Sequence, residues 1–367
     1  MQQSEKITGT QLGLLLFTFI VSTNLLNVPG IMTMFGKRDA WISVFPAALS
    51  GLVSIWVMTV LANRYPGLTI IEYSSKIVGK WIGRLIAINY IYYWYVSITT
   101  ISMQHTGFIN TILLPKSPSI VTSLTFLILC GLAAIAGLEV IARCNEFITI
   151  LILFYLIPIL ILTLGDVNFN QLKPVLGDGL LPMLQGAVSP GGGYMNQLFI
   201  LGWLLPYLNQ PRKARKVSLI ALSGIALLVI TVVMLTITVL GPLTGKLTFS
   251  FLSVIQYVGI EGSFERLESI AVALWVMGCF VKVAISLFIF SLSISQLFGI
   301  RNYREIVFPA TFLSVVGTVW IFKNGAELNN YLAFTFPLAA FFNHSLIPLA
   351  LLMVDTIRRS SVDNLRL

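Results

Sequence analysis

The stretch Ser189-Pro190-Gly191-Gly192-Gly193 lies in an otherwise apolar run that extends roughly over residues 186–208. Proline removes a backbone hydrogen bond from a helix, and glycine loses more backbone freedom on becoming helical than any other residue. Regular α-helix is therefore not expected through this stretch. Inside a bilayer, irregular backbone is tolerated only where it is buried in protein or lines a polar cavity. The stretch predicts a broken transmembrane helix with a binding site beside the break.

A second interrupted run, over residues 10–35, contains Ser22-Thr23-Asn24 and then Asn27-Val28-Pro29-Gly30. These residues form helices poorly in a run otherwise rich in Leu, Ile and Phe. Two interrupted spans at matching positions of two halves indicate an inverted-repeat transporter fold with its ligand site at the midplane. The alternative is an ordinary proline kink in the first run and a sixth span that begins only after Gly193.

Composition identifies the protein class. Of the 367 residues, 57% are hydrophobic and 10% are charged, whereas soluble domains carry about 25% charged residues. The mean hydropathy of +0.90 excludes disorder, which requires low hydrophobicity. Continuous apolar runs also argue against a transmembrane barrel, whose strands alternate apolar and polar residues. We predict an all-α polytopic membrane protein, with one domain over 1–367 and five-helix halves over 1–165 and 186–357. The ten predicted spans cover roughly 10–35, 40–62, 82–113, 119–138, 146–165, 186–208, 217–241, 267–298, 303–322 and 334–357.

The basic residues predict the orientation. The net charge of +9 resides in short loops between apolar spans, where Lys and Arg set topology; a nucleic-acid partner is therefore not expected. With the N-terminus inside, fifteen Lys and Arg residues lie inside and seven outside, and Lys282 falls within a span. Both termini are predicted to be cytoplasmic. The densest basic cluster, Arg212-Lys213-Ala214-Arg215-Lys216, is then an inside anchor, with a lipid or partner site as its alternative role.

Eight short stretches resemble one known family, in the same order and between the corresponding spans. They are Asp39-Ala40-Trp41-Ile42-Ser43, Arg64-Tyr65-Pro66-Gly67, Glu72-Tyr73 with Gly79-Lys80-Trp81-Ile82-Gly83-Arg84, Leu113-Leu114-Pro115-Lys116-Ser117-Pro118, Gly137-Leu138-Glu139-Val140, Pro174-Val175-Leu176-Gly177-Asp178-Gly179-Leu180-Leu181-Pro182, Phe264-Glu265-Arg266-Leu267-Glu268 and Gln296-Leu297-Phe298-Gly299. The chain resembles the endospore germination permeases, the B subunits of Ger-type germinant receptors.

This resemblance implies the amino acid–polyamine–organocation superfamily fold, with broken helices 1 and 6 in a five-plus-five inverted repeat. It also implies a subunit of the inner spore membrane that binds a small nutrient germinant, an amino acid or a sugar. The implied partners are a larger membrane A subunit, a C lipoprotein and the surrounding lipid. No catalytic triad, carboxylate pair, P-loop or metal cluster is evident in the sequence, so we expect neither enzyme activity nor a cofactor.

The expected ligand site surrounds the two breaks. Half-helix N-termini there direct positive dipole ends into the cavity, where free N–H groups would bind a carboxylate and freed carbonyls would bind an ammonium. In such folds span 3 faces the site, whereas Trp94 on that span is expected to serve in packing. The expected ligand-binding residues on the two breaks, on span 3 and on span 8 are Thr23, Asn24, Tyr95, Ser97, Ile101, Gly191, Gly192, Gly193, Tyr194, Met195, Asn196, Gly278, Lys282 and Ser286.

Lys282 is the sharpest single signal. A lysine near the centre of a span costs about 2.5–3.5 kcal/mol on insertion scales, so its side chain should face protein or water. Gly278, Lys282 and Ser286 recur every four residues and share one helix face. In sodium-coupled members of the superfamily a cation lies between spans 1 and 8, and the Lys282 ammonium is proposed to take that place. The alternatives are a permanent structural pairing or a side chain that reaches a vestibule.

Three charged residues at the outer start of span 8 form the last candidate group. Glu265, Arg266 and Glu268 resemble a Glu-Arg-x-Glu signature of the family and suggest an outer gate or a subunit contact. Glu is also favoured at any helix start by the helix dipole, which is the simpler reading. Two functions remain open: a germinant-sensing subunit and, as the alternative, a genuine secondary amino acid transporter.

Overall fold

A computed structural model of the chain describes residues 5–258 and 267–364. Within these residues the chain is helical, and its only strand-like pairing is one backbone bridge between Ile7 and Leu208. The α-helices, in chain order, are α1 (Gly9–Gly36), α2 (Val44–Arg64), α3 (Ile70–Val78), α4 (Lys80–Ile112), α5 (Ser119–Ala136), α6 (Leu138–Thr163), α7 (Leu180–Ser189), α8 (Leu201–Leu204), α9 (Ala214–Leu240), α10 (Ser250–Val258), α11 (Leu267–Phe298), α12 (Arg304–Trp320), α13 (Gly325–Asn330), α14 (Phe336–Phe341) and α15 (Ile347–Asn364).

The number of membrane spans follows from helix length and composition. Six helical segments in the described part of the chain are long and apolar enough to cross a bilayer, and the count rises to seven if the bent α1 is one span. The other predicted spans coincide with α4, with an irregular segment around α7 and α8, and with α12. The protein is thus an all-α integral membrane protein, and the count of ten spans stays a prediction.

The predicted break in the first span is a bend. Helix α1 is assigned over its whole length, but its axis turns by 65° between Gly9–Thr23 and Asn27–Asp39. Pro29 lies inside the helix and cannot donate to the carbonyl one turn earlier, at Leu25. That missing hydrogen bond falls at the turn of the axis. Span 1 is therefore bent where the sequence predicted an interruption, while its backbone remains helical.

The predicted break in the sixth span is a change of helix type. Helix α7 ends at Ser189, a π-helical turn follows over Pro190–Tyr194, and a 3₁₀ segment over Met195–Ile200 leads into α8. We call residues 180–207 the interrupted segment. It contains no regular α-helix through the glycines, as proline and three glycines in a row predict.

Neighbouring side chains satisfy carbonyl groups of the interrupted segment. From α2, the Ser50 hydroxyl donates to the Gly191 carbonyl at 2.7 Å, and the Ser54 hydroxyl donates to the Asn196 carbonyl at 3.3 Å. The Gln197 amide donates to the Gly193 carbonyl at 2.7 Å. Unpaired buried backbone groups are costly, so these contacts stabilise the irregular backbone. They also occupy carbonyls that were expected to be free to bind a ligand ammonium.

Two helices form the centre of the bundle. Helix α1 packs against α6, α7, α9 and α11, and α11 packs against α4, α5, α6 and α12. A Cβ atom at Gly278 of α11 would lie only 2.7 Å from the Cβ of Ser22 on α1. This close approach places the middle of α11 directly against the bend of α1.

The last predicted span is also irregular. We call residues 325–364 the C-terminal helix; it consists of α13, a π turn over Tyr331–Thr335, α14, a π turn over Phe342–Leu346, and α15. Single π turns within helices are rare and frequently mark functional sites. No prediction from the sequence had placed an interruption here.

Hydrogen bonds connect the start of the described chain to the helical bundle. The N–H of Ile7 donates to the Tyr207 carbonyl at 2.9 Å, and the N–H of Asn209 donates to the Ile7 carbonyl at 3.0 Å. Glu5 accepts hydrogen bonds from Arg304 at 2.5 Å and from the Leu138 N–H at 2.7 Å. The beginning of span 1 is thereby joined both to the end of the interrupted segment and to the α5–α6 and α12 region.

Candidate functional site

A small cavity lies where α1, α4, α11, the interrupted segment and the C-terminal helix meet. We call it the central cavity. Its free space is about 30 Å³, which corresponds to about two water molecules. An amino acid or a sugar is larger than that, so a nutrient enters only if lining side chains move outward.

Lys282 of α11 connects three elements at this cavity. Its side chain is 2% exposed. The ammonium donates to the Thr23 hydroxyl of α1 at 2.8 Å and to the Gln197 side-chain carbonyl of the interrupted segment at 2.9 Å. The Phe19 ring lies 4.8 Å from Nζ, within the range of a cation–π contact. The lysine side chain therefore reaches span 1, as the sequence suggested, but it contacts a hydroxyl there and an additional amide that was not expected.

Several residues predicted as ligand-binding line the central cavity together. They come from α1, α4, the π turn of the interrupted segment and α11: Thr23, Ser97, Ile101, Tyr194, Lys282 and Ser286. Ser286, one turn after Lys282, donates its hydroxyl to the Lys282 carbonyl at 2.8 Å. A role for these residues in ligand binding remains a prediction, although their convergence on one space is a feature of the structure.

The three predicted glycines face neighbouring helices. A Cβ atom at Gly191 would lie 3.3 Å from Ala47, one at Gly192 would lie 2.8 Å from the Pro337 carbonyl oxygen, and one at Gly193 would lie 2.8 Å from the Phe336 ring. None of these glycines is among the residues that line the central cavity. Their small size permits close packing of the interrupted segment, and the chain stays helical through them.

Other predicted residues also point elsewhere. Tyr95 stacks on Phe290 with ring centroids 6.2 Å apart, and Met195 is buried in the core. The Asn196 side chain contacts His344, and Gly278 forms the close approach of α11 to α1. None of these four predicted residues lines the central cavity.

The remaining predicted residues cannot be placed at the site. Asn24 belongs to α1 at the bend, but its side chain is outside the described part. Glu265 and Arg266 lie outside the described residues, and of Glu268 only the backbone, in α11, is described. The gate or subunit contact predicted for these three charged residues stays a prediction.

Aromatic residues that the sequence did not single out cover much of the cavity wall. Tyr93, Phe199, Tyr331 and Phe336 line it. Trp94, which was expected only to pack, lines the cavity and also stacks on Phe199 at 5.5 Å with nearly parallel rings. In a chain with 24 Phe and 12 Tyr, aromatic identity alone carries no information about which rings meet at the centre.

Each of the three π turns contributes to this region. Tyr194 ends the first turn, Tyr331 begins the second and His344 lies in the third. The His344 ring is fully buried, stacks on Phe199 at 3.8 Å, and contacts the Asn196 side-chain oxygen at 2.8 Å. Because that oxygen can only accept, Nδ1 donates to it and Nε2 accepts from the Tyr93 hydroxyl at 2.6 Å. His344 thus fixes the orientation of Tyr93, whose ring lies in the cavity wall.

A larger cavity of about 420 Å³ lies toward the end of α4, on the side opposite the start of α1. Gln104 borders both cavities. Its side-chain carbonyl accepts a hydrogen bond of 3.3 Å from the amide of Asn27, which lies just after the bend of α1. Gln104 therefore lies between the two cavities, and its partner Asn27 lines the larger one.

Comparison with known proteins identifies the family. A family described as Spore germination protein matches residues 6–324. The chain belongs to this family. Spore germination protein YndE of Bacillus subtilis (strain 168) is 29% identical over 302 residues, which cover 80% of this chain and 82% of that protein. Spore germination protein KB of the same organism is 26% identical over 333 residues, which cover 89% of this chain and 87% of that protein. The resemblance inferred from the eight stretches is confirmed.

Solved structures show the fold of this family member. The chain is similar to MhsT in complex with L-phenylalanine, with a TM-score of 0.67, 12% identity and coverage of 96% of this chain and 99% of MhsT. It is also similar to a substrate-bound Na⁺-coupled sialic acid symporter, with a TM-score of 0.65, 11% identity and coverage of 94% of this chain and 82% of the symporter. The predicted class, an all-α polytopic membrane protein with a transporter fold, is confirmed.

Proposed function

We propose that this chain is the germinant-binding membrane subunit of a spore germinant receptor. In this proposal a small nutrient binds in the central cavity and shifts the conformation of the bundle. The main support is the meeting of buried polar groups at that cavity, where Lys282 joins Thr23 of the bent α1 to Gln197 of the interrupted segment. In this fold, interrupted spans at matching positions indicate the ligand site.

We further propose the setting in which this subunit works. Family membership supports a location in the inner spore membrane and partnership with a larger membrane A subunit and a C lipoprotein. The excess of Lys and Arg in alternate loops supports cytoplasmic termini. The subunit acts by binding and conformational change, with the repeat halves 1–165 and 186–357 moving relative to each other.

The alternative is a genuine secondary amino acid transporter, which the similarity to transporter structures favours. Fold alone does not decide function. A receptor needs only a shift of population when its ligand binds. A transporter must also release that ligand on the other side of the membrane.

The test combines three measurements on the full chain. Purified protein is screened for a rise in unfolding temperature with amino acids and sugars, since a ligand at 100 times its Kd stabilises the folded state by about 2.7 kcal/mol. The stabilising compound is then offered to spores with and without the A subunit and the lipoprotein, and to proteoliposomes. We expect germination only when all subunits are present, without uptake into proteoliposomes. Accumulation of the compound in proteoliposomes, together with normal germination of spores that lack this chain, would establish the transporter instead.

A further inference from the structure

The central cavity contains one charge without a counter-charge. Among the residues that line it, Lys282 is the only charged one. No ion pair between Lys282 and a carboxylate occurs among the described side chains. An ammonium removed from water is costly unless it is paired and hydrogen-bonded. The cavity therefore favours a ligand group that carries negative charge.

The hydrogen-bonding groups of the cavity wall also favour a ligand group that accepts hydrogen bonds. An ammonium has three N–H donors, and Lys282 uses two of them, on Thr23 and Gln197. The Thr100 hydroxyl and the indole N–H of Trp94 are both buried and have no partner among the described residues. The side-chain oxygen and nitrogen of Gln197 are both engaged. The third N–H of Lys282 and the indole N–H of Trp94 can only donate, so two unpaired groups of this wall require an acceptor.

On the basis of the function proposed above, we propose that the germinant carries a carboxylate and that Lys282 binds this group. A carboxylate accepts up to about four hydrogen bonds and donates none, so it complements the N–H of Lys282, the indole of Trp94 and the hydroxyl of Thr100. It also supplies the missing negative charge. A sugar brings no negative charge and leaves the ammonium uncompensated, while an amine adds a second positive charge.

The walls also restrict the size of this carboxylate. Because only about 30 Å³ is free, the ligand fits only if aromatic side chains of the wall move outward. The rings that lie at or beside the π turns are those of Tyr194, Tyr331 and Phe336. Each ring that moves outward loses packing contacts, so a small amino or hydroxy acid is accommodated with a smaller loss of free energy than a large one. The ligand class is accordingly a small carboxylic acid.

The first part of the experiment uses the wild-type chain and chemically matched probes. The rise in unfolding temperature is measured with the amino acids, with their amides, with lactate and glycolate, and with glucose and fructose. We expect stabilisation by at least one small amino or hydroxy acid and its loss when the carboxylate is replaced by the amide. Stabilisation by an amide equal to that by its acid, or by a sugar alone, would overturn the inference and leave the proposed binding function intact. Stabilisation by none of the probes would instead contradict the proposed function itself.

The second part tests the residues. A hydrogen bond to a charged group contributes about 1.5–3 kcal/mol, so Lys282→Met should raise the ligand Kd about 10- to 150-fold, and Lys282→Arg should raise it less because the charge remains. Trp94→Phe keeps an aromatic ring and removes one neutral donor, for which we expect about a 2- to 10-fold rise. The matched control is Lys246→Met at an exposed lysine, which should bind as wild type does. An unchanged Kd in Lys282→Met would refute the proposal that Lys282 binds the carboxylate. If that variant does not fold, the comparison of each acid with its amide on the wild-type protein tests the proposal.

Discussion

Gly192 offers a sharp test of how the interrupted segment is held. A Cβ atom at this position would lie 2.8 Å from the carbonyl oxygen of Pro337 and 3.4 Å from its carbonyl carbon. Both atoms belong to the backbone of α14, so no side-chain rotation relieves the clash. Overpacking of a well-packed interior costs about 1–3 kcal/mol. We therefore expect Gly192→Ala to lower the free energy of unfolding by about that amount.

The matched control is Gly107→Ala in α4, where a Cβ atom meets nothing within 4 Å. Alanine is favoured over glycine in a helix interior by about 0.5–1 kcal/mol, so this variant should be slightly more stable than wild type. The two substitutions add the same methyl group and should change stability with opposite signs. Thermal unfolding of both purified variants in the same detergent measures the difference.

The larger substitution Gly192→Leu should separate the interrupted segment from the C-terminal helix. Because Tyr194 follows two residues later and lines the central cavity, we expect spores with this variant to lose the nutrient response while the protein still inserts. The reason is a displaced wall, since Gly192 itself faces Pro337 and does not border the cavity. A stability of Gly192→Ala equal to or above wild type would refute the packing argument, as would a normal response of Gly192→Leu spores at normal protein level.

Two further predictions concern contacts away from the lysine. Glu5→Gln removes the carboxylate that accepts from both Arg304 and the Leu138 N–H. We expect a loss of about 1–3 kcal/mol in unfolding free energy. If the losses of Glu5→Gln and Arg304→Gln simply add in the double variant, the contact between these two side chains contributes nothing. Tyr93→Phe removes the hydroxyl that donates to Nε2 of His344 and leaves a buried acceptor unpaired, so it should destabilise by a similar amount. Unfolding in detergent measures that loss, and a Tyr93→Phe protein as stable as wild type would show that the histidine needs no partner there.

The breaks and the buried lysine were predictable because each violates a strong local rule. Pro190 followed by three glycines cannot continue an α-helix, and a lysine within a span must face protein or water. What those residues contact was not predictable to the same degree. The clash partner of Gly192 is Pro337, which lies far along the chain, and nothing in the local sequence indicates that their backbones meet.

The same limit explains the cavity wall. Asn196 follows the break as a wall residue should, yet its side chain turns to His344, and the adjacent Gln197 contacts Lys282 instead. A helix that changes from π to 3₁₀ turns rotates successive side chains by amounts that regular periodicity does not give. Sequence spacing therefore located the region of the site, whereas the identity of the lining side chains depended on helix geometry that only the structure provides.

The position of Lys282 connects ligand binding to the rest of the molecule. Its ammonium bridges the bent α1 and the interrupted segment through Thr23 and Gln197, and a ligand carboxylate at the proposed site binds the third N–H of the same ammonium. Near the ends of these two elements the chain is paired again, since Ile7, just before α1, exchanges backbone hydrogen bonds with Tyr207 and Asn209. A carboxylate bound to Lys282 therefore adds a ligand contact where these two elements meet, beside the packing of α1 against α7. That arrangement serves a receptor and a transporter equally well, which is why uptake and germination, measured on the same ligand, separate the two functions.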